Sequence, residues 1–186
     1  YLSSLVRVAL CLNGLQKIEL WGSEGALDKG VLIERFFSGV DRSLEGAGRG
    51  ELEELRTLVD PLRDSYEPHI SHGDFVPWHV IIDDERRILI DGEHGWSGRP
   101  RYYDLAYFYH RLATSAASPE LARLFLAEFR DELPDLERAQ FNDRFVPILA
   151  ARSIAGFCDA TVFEDQKKVL NKHLELAQMI LRRDLC

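Results

Sequence analysis

The sequence predicts an α+β chain, mostly α, with a small β-hairpin embedded among helices. Apolar residues recur at helical spacing along most of its length before residue 66 and after residue 101. Between those stretches stand two short aliphatic runs around a charged turn. Glycines and prolines fall where such elements should stop.

The elements follow in order. Leu2, Leu5, Val6, Ala9, Leu10 and Leu12 open a helical pattern over 2–20, then a loop runs from Trp21 to Gly30 and a short helix covers 31–45. The run Gly46-Ala47-Gly48-Arg49-Gly50 is a breaker. Leu52, Leu55, Leu58, Val59 and Leu62 line one face of a helix from Glu51 to Tyr66. Pro61 should bend or end it, because proline donates no main-chain hydrogen bond. Val80-Ile81-Ile82 and Ile88-Leu89-Ile90 flank Asp83-Asp84-Glu85-Arg86-Arg87 and predict the hairpin. Beyond Arg101 the helical pattern returns over 102–115, 119–132, 135–156 and 160–182. Ser118 and Asp135 are candidate caps, and Pro119 suits a first helical turn. Tyr102, Tyr103, Tyr107, Phe108 and Tyr109 spread around their helix and are expected in the core.

The 186 residues suffice for one domain with a substantial core, and 46% hydrophobic with 29% charged residues excludes a disordered chain. Lys and Arg number 23 against 31 Asp and Glu, which leaves a net charge of −8. That balance disfavours nucleic acid as a partner and would suit a cationic small molecule. Cys11, Cys158 and Cys186 are too few and scattered for a disulfide framework or zinc cluster, so a reducing, cytoplasmic setting is expected. No apolar run is long enough to span a bilayer, and nothing has the pattern of a signal peptide. The chain opens at Tyr1, inside an apolar-periodic stretch, so a piece of a longer protein is expected.

The chemistry is concentrated in Ser71-His72-Gly73-Asp74-Phe75-Val76-Pro77-Trp78-His79, then Ile90-Asp91-Gly92-Glu93, then Gly98-Arg99-Pro100-Arg101-Tyr102-Tyr103-Asp104-Leu105-Ala106. Asp74 lies in a loop just before one strand of the hairpin and Asp91 at the end of the other, so the two carboxylates should converge. Paired carboxylates beside a rigid hairpin suit phosphoryl transfer: one faces the attacking hydroxyl, the other holds Mg²⁺ against the phosphates. Gly73 allows a tight turn beside Asp74. His72, His79 and His94 lack a recognised spacing for a transition-metal cluster.

This ordered signature resembles that of the aminoglycoside phosphotransferase/choline kinase family and covers residues 71–106. The resemblance implies a protein-kinase-like fold, of which this chain would be the C-terminal lobe in a single domain over 1–186. Its parts would be a helical region (1–66), the catalytic loop, hairpin and metal loop (67–100), and a helical substrate region (101–186). It implies transfer of the γ-phosphate of ATP, with Mg²⁺ or alternatively Mn²⁺, to a hydroxyl of an aminoglycoside, amino alcohol or sugar. Asp74 would be the catalytic carboxylate and Asp91 the principal metal ligand. His72 and Asp104 would brace the catalytic loop by hydrogen bonds, and Glu93 would act either at the site or in an orienting salt bridge.

Three departures qualify the resemblance. His79 stands five residues after Asp74, where the family places a metal-binding Asn. Imidazole suits Mg²⁺ poorly and transition metals better, so metal binding would be weakened, re-tuned towards Mn²⁺, or lost; an inert structural His79 is the other reading. Gly92 replaces a usually bulky residue, with Trp96 as the candidate to fill the space. The first 66 residues hold no strand–glycine-rich loop–strand unit with a phosphate-facing Lys, so the N-terminal ATP lobe is expected to be absent and to be a needed partner. Gly46 to Gly50 stands between helices without a following Lys-Ser/Thr and reads as a linker. The alternatives are a degenerate pseudokinase and a helical interaction module. The acidic positions Asp131, Glu132, Asp135, Glu137, Asp159, Glu164 and Asp165 read as a solvated face, or in part as a groove for a cation.

Overall fold

Local capping sets the lengths of the first helices in the computed structural model, which describes residues 2–14, 28–48, 50–84, 86–161 and 166–185. Helix α1 (Leu2–Gly14) carries the first apolar pattern; its expected continuation over 15–20, and the loop to residue 27, lie outside the described residues. Helix α2 (Lys29–Ala47) is longer than the predicted 31–45 because both its ends are built. The Asp28 carboxylate accepts the Gly30 amide at 2.7 Å, and Gly48, at φ 60°, turns the chain out. The helix expected from Glu51 to Tyr66 is two pieces, α3 (Gly50–Val59) and α4 (Leu62–Ser65), parted at Pro61.

The hairpin forms where expected, β2 (Val80–Asp83) against β3 (Arg86–Leu89), with Val80 opposite Leu89 and Asp83 opposite Arg86. A second antiparallel pair was not foreseen: β1 (Pro68–Ser71) with β4 (Trp96–Pro100). Its register shifts between His69 and Ser71, a local irregularity just before the loop that carries Asp74.

Helices α5 (Tyr103–Thr114), α6 (Pro119–Asp131), α7 (Asp135–Ala160) and α8 (Gln166–Leu181) follow. Ser118 occupies the cap position of α6 but its side chain caps nothing. Asp135 is already helical, with Pro134 at the cap position. Helix α7 packs on α2, α3, α5 and α8 and forms the spine of the core. A chain of rings fills it: Phe108 lies 4.5 Å from Phe125, Phe129 5.9 Å from Phe141, and Phe141 5.1 Å from Phe145. Tyr102, Tyr107, Phe108 and Tyr109 are buried, as the sequence suggests, whereas Tyr103 is only half-buried. Among the described residues no helix is long and apolar enough to cross a membrane.

Helix α7 runs past residue 156, the predicted end, and Gly156 lies beside a buried histidine pair. A Cβ there would meet His110 Nε2 at 2.3 Å, and His110 Nε2 lies 3.2 Å from His173 Nδ1. Burial, reinforced by Arg152 and Arg111, holds both rings neutral, His110 well below the usual range and His173 down to about 4. A depressed histidine stabilises the fold above the free value of 6.5, and that stability is lost as the pH falls towards 4. For His173 the gap amounts to about 3 kcal/mol. Urea denaturation between pH 7 and pH 4 is expected to show this loss, with a shallower slope in His173→Gln; equal slopes would contradict it.

Candidate functional site

The loop after β1 is fixed from behind before any side chain faces the site. Gly73 adopts φ 86°, and a Cβ there would come within 2.3 Å of both Arg99 Nη1 and the His94 carbonyl oxygen, so a side chain has no room. Arg99 donates to Ser71 Oγ at 3.1 Å and to the His94 carbonyl at 2.8 Å, tying β4 and the Asp91 loop to β1. Asp104, in the first turn of α5 and only 7% exposed, accepts the main-chain N–H groups of His72 at 2.7 Å and Gly73 at 2.8 Å. Burial raises its pKa, against the pull of those two donors. Phe75 is fully buried and stacks on Phe108 at 4.5 Å, which anchors the loop to the core one residue beyond Asp74. A short 3₁₀ turn, Pro77–His79, then leads into β2.

The hairpin returns the chain to the same place. Ile90 N–H donates to the His79 carbonyl at 3.0 Å, and Asp91 takes the left-handed conformation at φ 65°. As a result, ligand atoms of Asp74, His79 and Asp91 all lie within 4.8 Å of one another. The imidazole stands between the two carboxylates. Its Nδ1 is 3.0 Å from the Asp74 carbonyl oxygen and 3.5 Å from the Asp74 carboxylate, while Nε2 is 3.3 Å from the Asp91 carboxylate. A proton on Nδ1 satisfies the carbonyl and turns the Nε2 lone pair towards Asp91. Two acceptors facing each other suit a cation held between them, and an anchored second nitrogen is the usual support of a metal-binding histidine. Two carboxylate oxygens and one imidazole nitrogen fit Mn²⁺ and the later divalent metals better than Mg²⁺.

The other predicted residues are placed differently. His72 reaches Asp104 through its main chain; both ring nitrogens are buried and have no hydrogen-bond partner among the described residues. The ring lies against Gly92, where a Cβ would make ordinary contact at 3.8 Å, so a side chain would fit there. The Trp96 side chain, the candidate to fill that space, lies outside the described residues. Glu93 is outside the cluster, 74% exposed and 3.6 Å from the His94 ring. Asp104 acts on the loop through the main-chain N–H groups of His72 and Gly73.

One residue that the sequence assigns only to the core belongs beside the site. The Tyr107 phenol interacts with the Asp74 carboxylate; its pKa is raised by burial and by Asp74, and lowered by Arg152 and Arg111. Arg152 lies 4.6 Å and Arg111 5.5 Å from the centre of its ring. Spacing carried a signal: Tyr107 is three residues after Asp104 and so shares its helix face.

A model of the phosphotransferase enzyme family matches residues 5–141, from α1 into α7. No curated protein and no solved structure matches the chain.

Proposed function

Because the chain belongs to the phosphotransferase enzyme family, whose members generally use ATP and a divalent metal, we propose that it serves transfer of the ATP γ-phosphate to a hydroxyl of a small molecule. The observation that carries this reading is the convergence of Asp74, His79 and Asp91 at the end of the hairpin. In it, Asp74 faces the acceptor hydroxyl and takes up or orients its proton. The acceptor oxygen bonds to the γ-phosphorus as the bond to the bridging oxygen breaks and ADP leaves. His79 and Asp91 would hold the metal, which neutralises phosphate charge when bound. Asp104, Gly73 and Phe75 fix the loop so that the Asp74 carboxylate needs little reorganisation.

In this reading the described residues are the catalytic, C-terminal lobe of a kinase-like fold, and a β-rich lobe covering the nucleotide comes from outside them. The cytoplasm, where ATP is supplied, is the proposed compartment. The test is ADP release by the full-length protein with ATP, Mg²⁺ or Mn²⁺, and a panel of hydroxylated acceptors. A second reading, nucleotide binding without transfer, is favoured by His79 alone; a thermal shift with nucleotide and metal but no turnover would select it.

His79 also makes the metal preference testable. Replacing it by Asn should lower Mn²⁺ affinity, read by electron paramagnetic resonance, by about tenfold and narrow the gap to Mg²⁺. An unchanged Mn²⁺ titration would remove His79 from the ligand set.

A further inference from the structure

The net charge of −8 favours a cationic partner, but two arginines, Arg111 and Arg152, meet at the Tyr107 ring beside Asp74. Arg111 extends from α5 one turn beyond Tyr107. Its Nη2 lies 3.4 Å from the Tyr107 hydroxyl and its Nη1 3.2 Å from Ser115 Oγ. Neither group is a carboxylate. Among the described residues Arg111 has no acidic partner, and its Nε is buried without an acceptor. Arg152 reaches the same phenol from α7, only 10% exposed, and its Nε is equally unpartnered. Among the described residues its one ion pair, at 2.9 Å, is to Asp159, whose carboxylate is mostly in solvent. Both guanidiniums also depress the neighbouring histidines, so the positive charge is felt throughout this corner.

Arg111 therefore has a buried Nε without an acceptor and no carboxylate partner among the described residues, and the planar set of donors of a guanidinium matches a carboxylate or phosphate. Asp74 is not among the ion-pair partners of Arg111: its carboxylate interacts with the Tyr107 hydroxyl and lies 3.5 Å from His79 Nδ1. We propose that Arg111, backed by Arg152, binds an anionic group of the phosphoryl acceptor, so that the substrate is a small hydroxylated oxyanion. Its reacting hydroxyl meets Asp74 and its negative charge meets Arg111, the two residues that share the Tyr107 hydroxyl. The acceptor assignment rests on the phosphotransferase reading; the anion site itself does not need turnover.

The test is ligand-observed NMR titration of the full-length protein with three matched alcohols: glycerate (anionic), glycerol (neutral) and serinol (cationic). Glycerate is expected to bind about tenfold tighter than the other two. Arg111→Gln should erase that preference and Arg111→Lys keep part of it, with melting curves confirming that each variant is folded. No binding of glycerate, equal binding of all three, a preference for serinol, or a glycerate preference that survives Arg111→Gln would each overturn the proposal. Asp74→Asn should keep the glycerate preference. If that variant also kept full transfer activity, the role given to Asp74 would fail while the anion site stood.

Discussion

Asp74→Asn is expected to lower kcat of the full-length protein by about a thousandfold, the middle of the range for a lost general base. Asparagine preserves shape, and the loop that holds residue 74 is built by other groups: Asp104 on the amides of His72 and Gly73, and Phe75 in the core. The His79 Nδ1 contact to the residue 74 carbonyl uses the main chain and survives. What disappears is the negative charge towards the acceptor hydroxyl. The loss should therefore fall on kcat and leave KM for ATP little changed, the pattern of an interaction made in the transition state. Denaturation midpoints should be close to wild type. Turnover within about tenfold of wild type would mean that another group takes the proton.

The largest loss of stability is expected from Asp104→Ala. Two main-chain N–H groups, that of Gly73 buried and that of His72 partly so, would lose their acceptor, and a buried orphan costs about 1–3 kcal/mol. Removing the carboxylate also relieves its own desolvation, which is why its pKa is raised. The orphaned donors and the vacated volume outweigh that relief, because the carboxylate is nearly enclosed and water has little access. The net effect should be about 2–5 kcal/mol, a large share of the total for a domain.

The pH dependence has a definite sign. A carboxyl whose folded pKa lies above the free value of 3.8 stabilises most in acid, and that contribution is lost as pH rises through the folded pKa. Asp104→Asn keeps one acceptor oxygen and removes the titration. Its deficit relative to wild type should thus be larger near pH 4 than at pH 7 in urea denaturation. A deficit that grows with pH would contradict the assignment.

Much of this was legible in the sequence where the signal was local. The aliphatic runs at 80–82 and 88–90 gave the hairpin, and their spacing placed Asp74 and Asp91 together. Helix limits were less legible: the periodicity of α2 stops short of its caps, and α7 continues through Gly156, a glycine that serves the packing of His110 and ends no helix. The β1–β4 pair had no local signature. Its strands are short, distant in sequence and carry Pro68, Gly98 and Pro100, so only tertiary pairing reveals it. The same holds for Tyr107 and Arg111, since an aromatic and a cation on a helix look alike whether they face the core, the solvent or a catalytic carboxylate.

The stacking of Phe75 on Phe108 has a further consequence. A loop riveted to the ring chain of the core belongs to the same cooperative unit as that core, and does not open as an independent flap. Substitutions far from the site, at Phe125 for instance, would then reduce activity by depopulating the whole unit, with the chemistry in the surviving molecules unchanged.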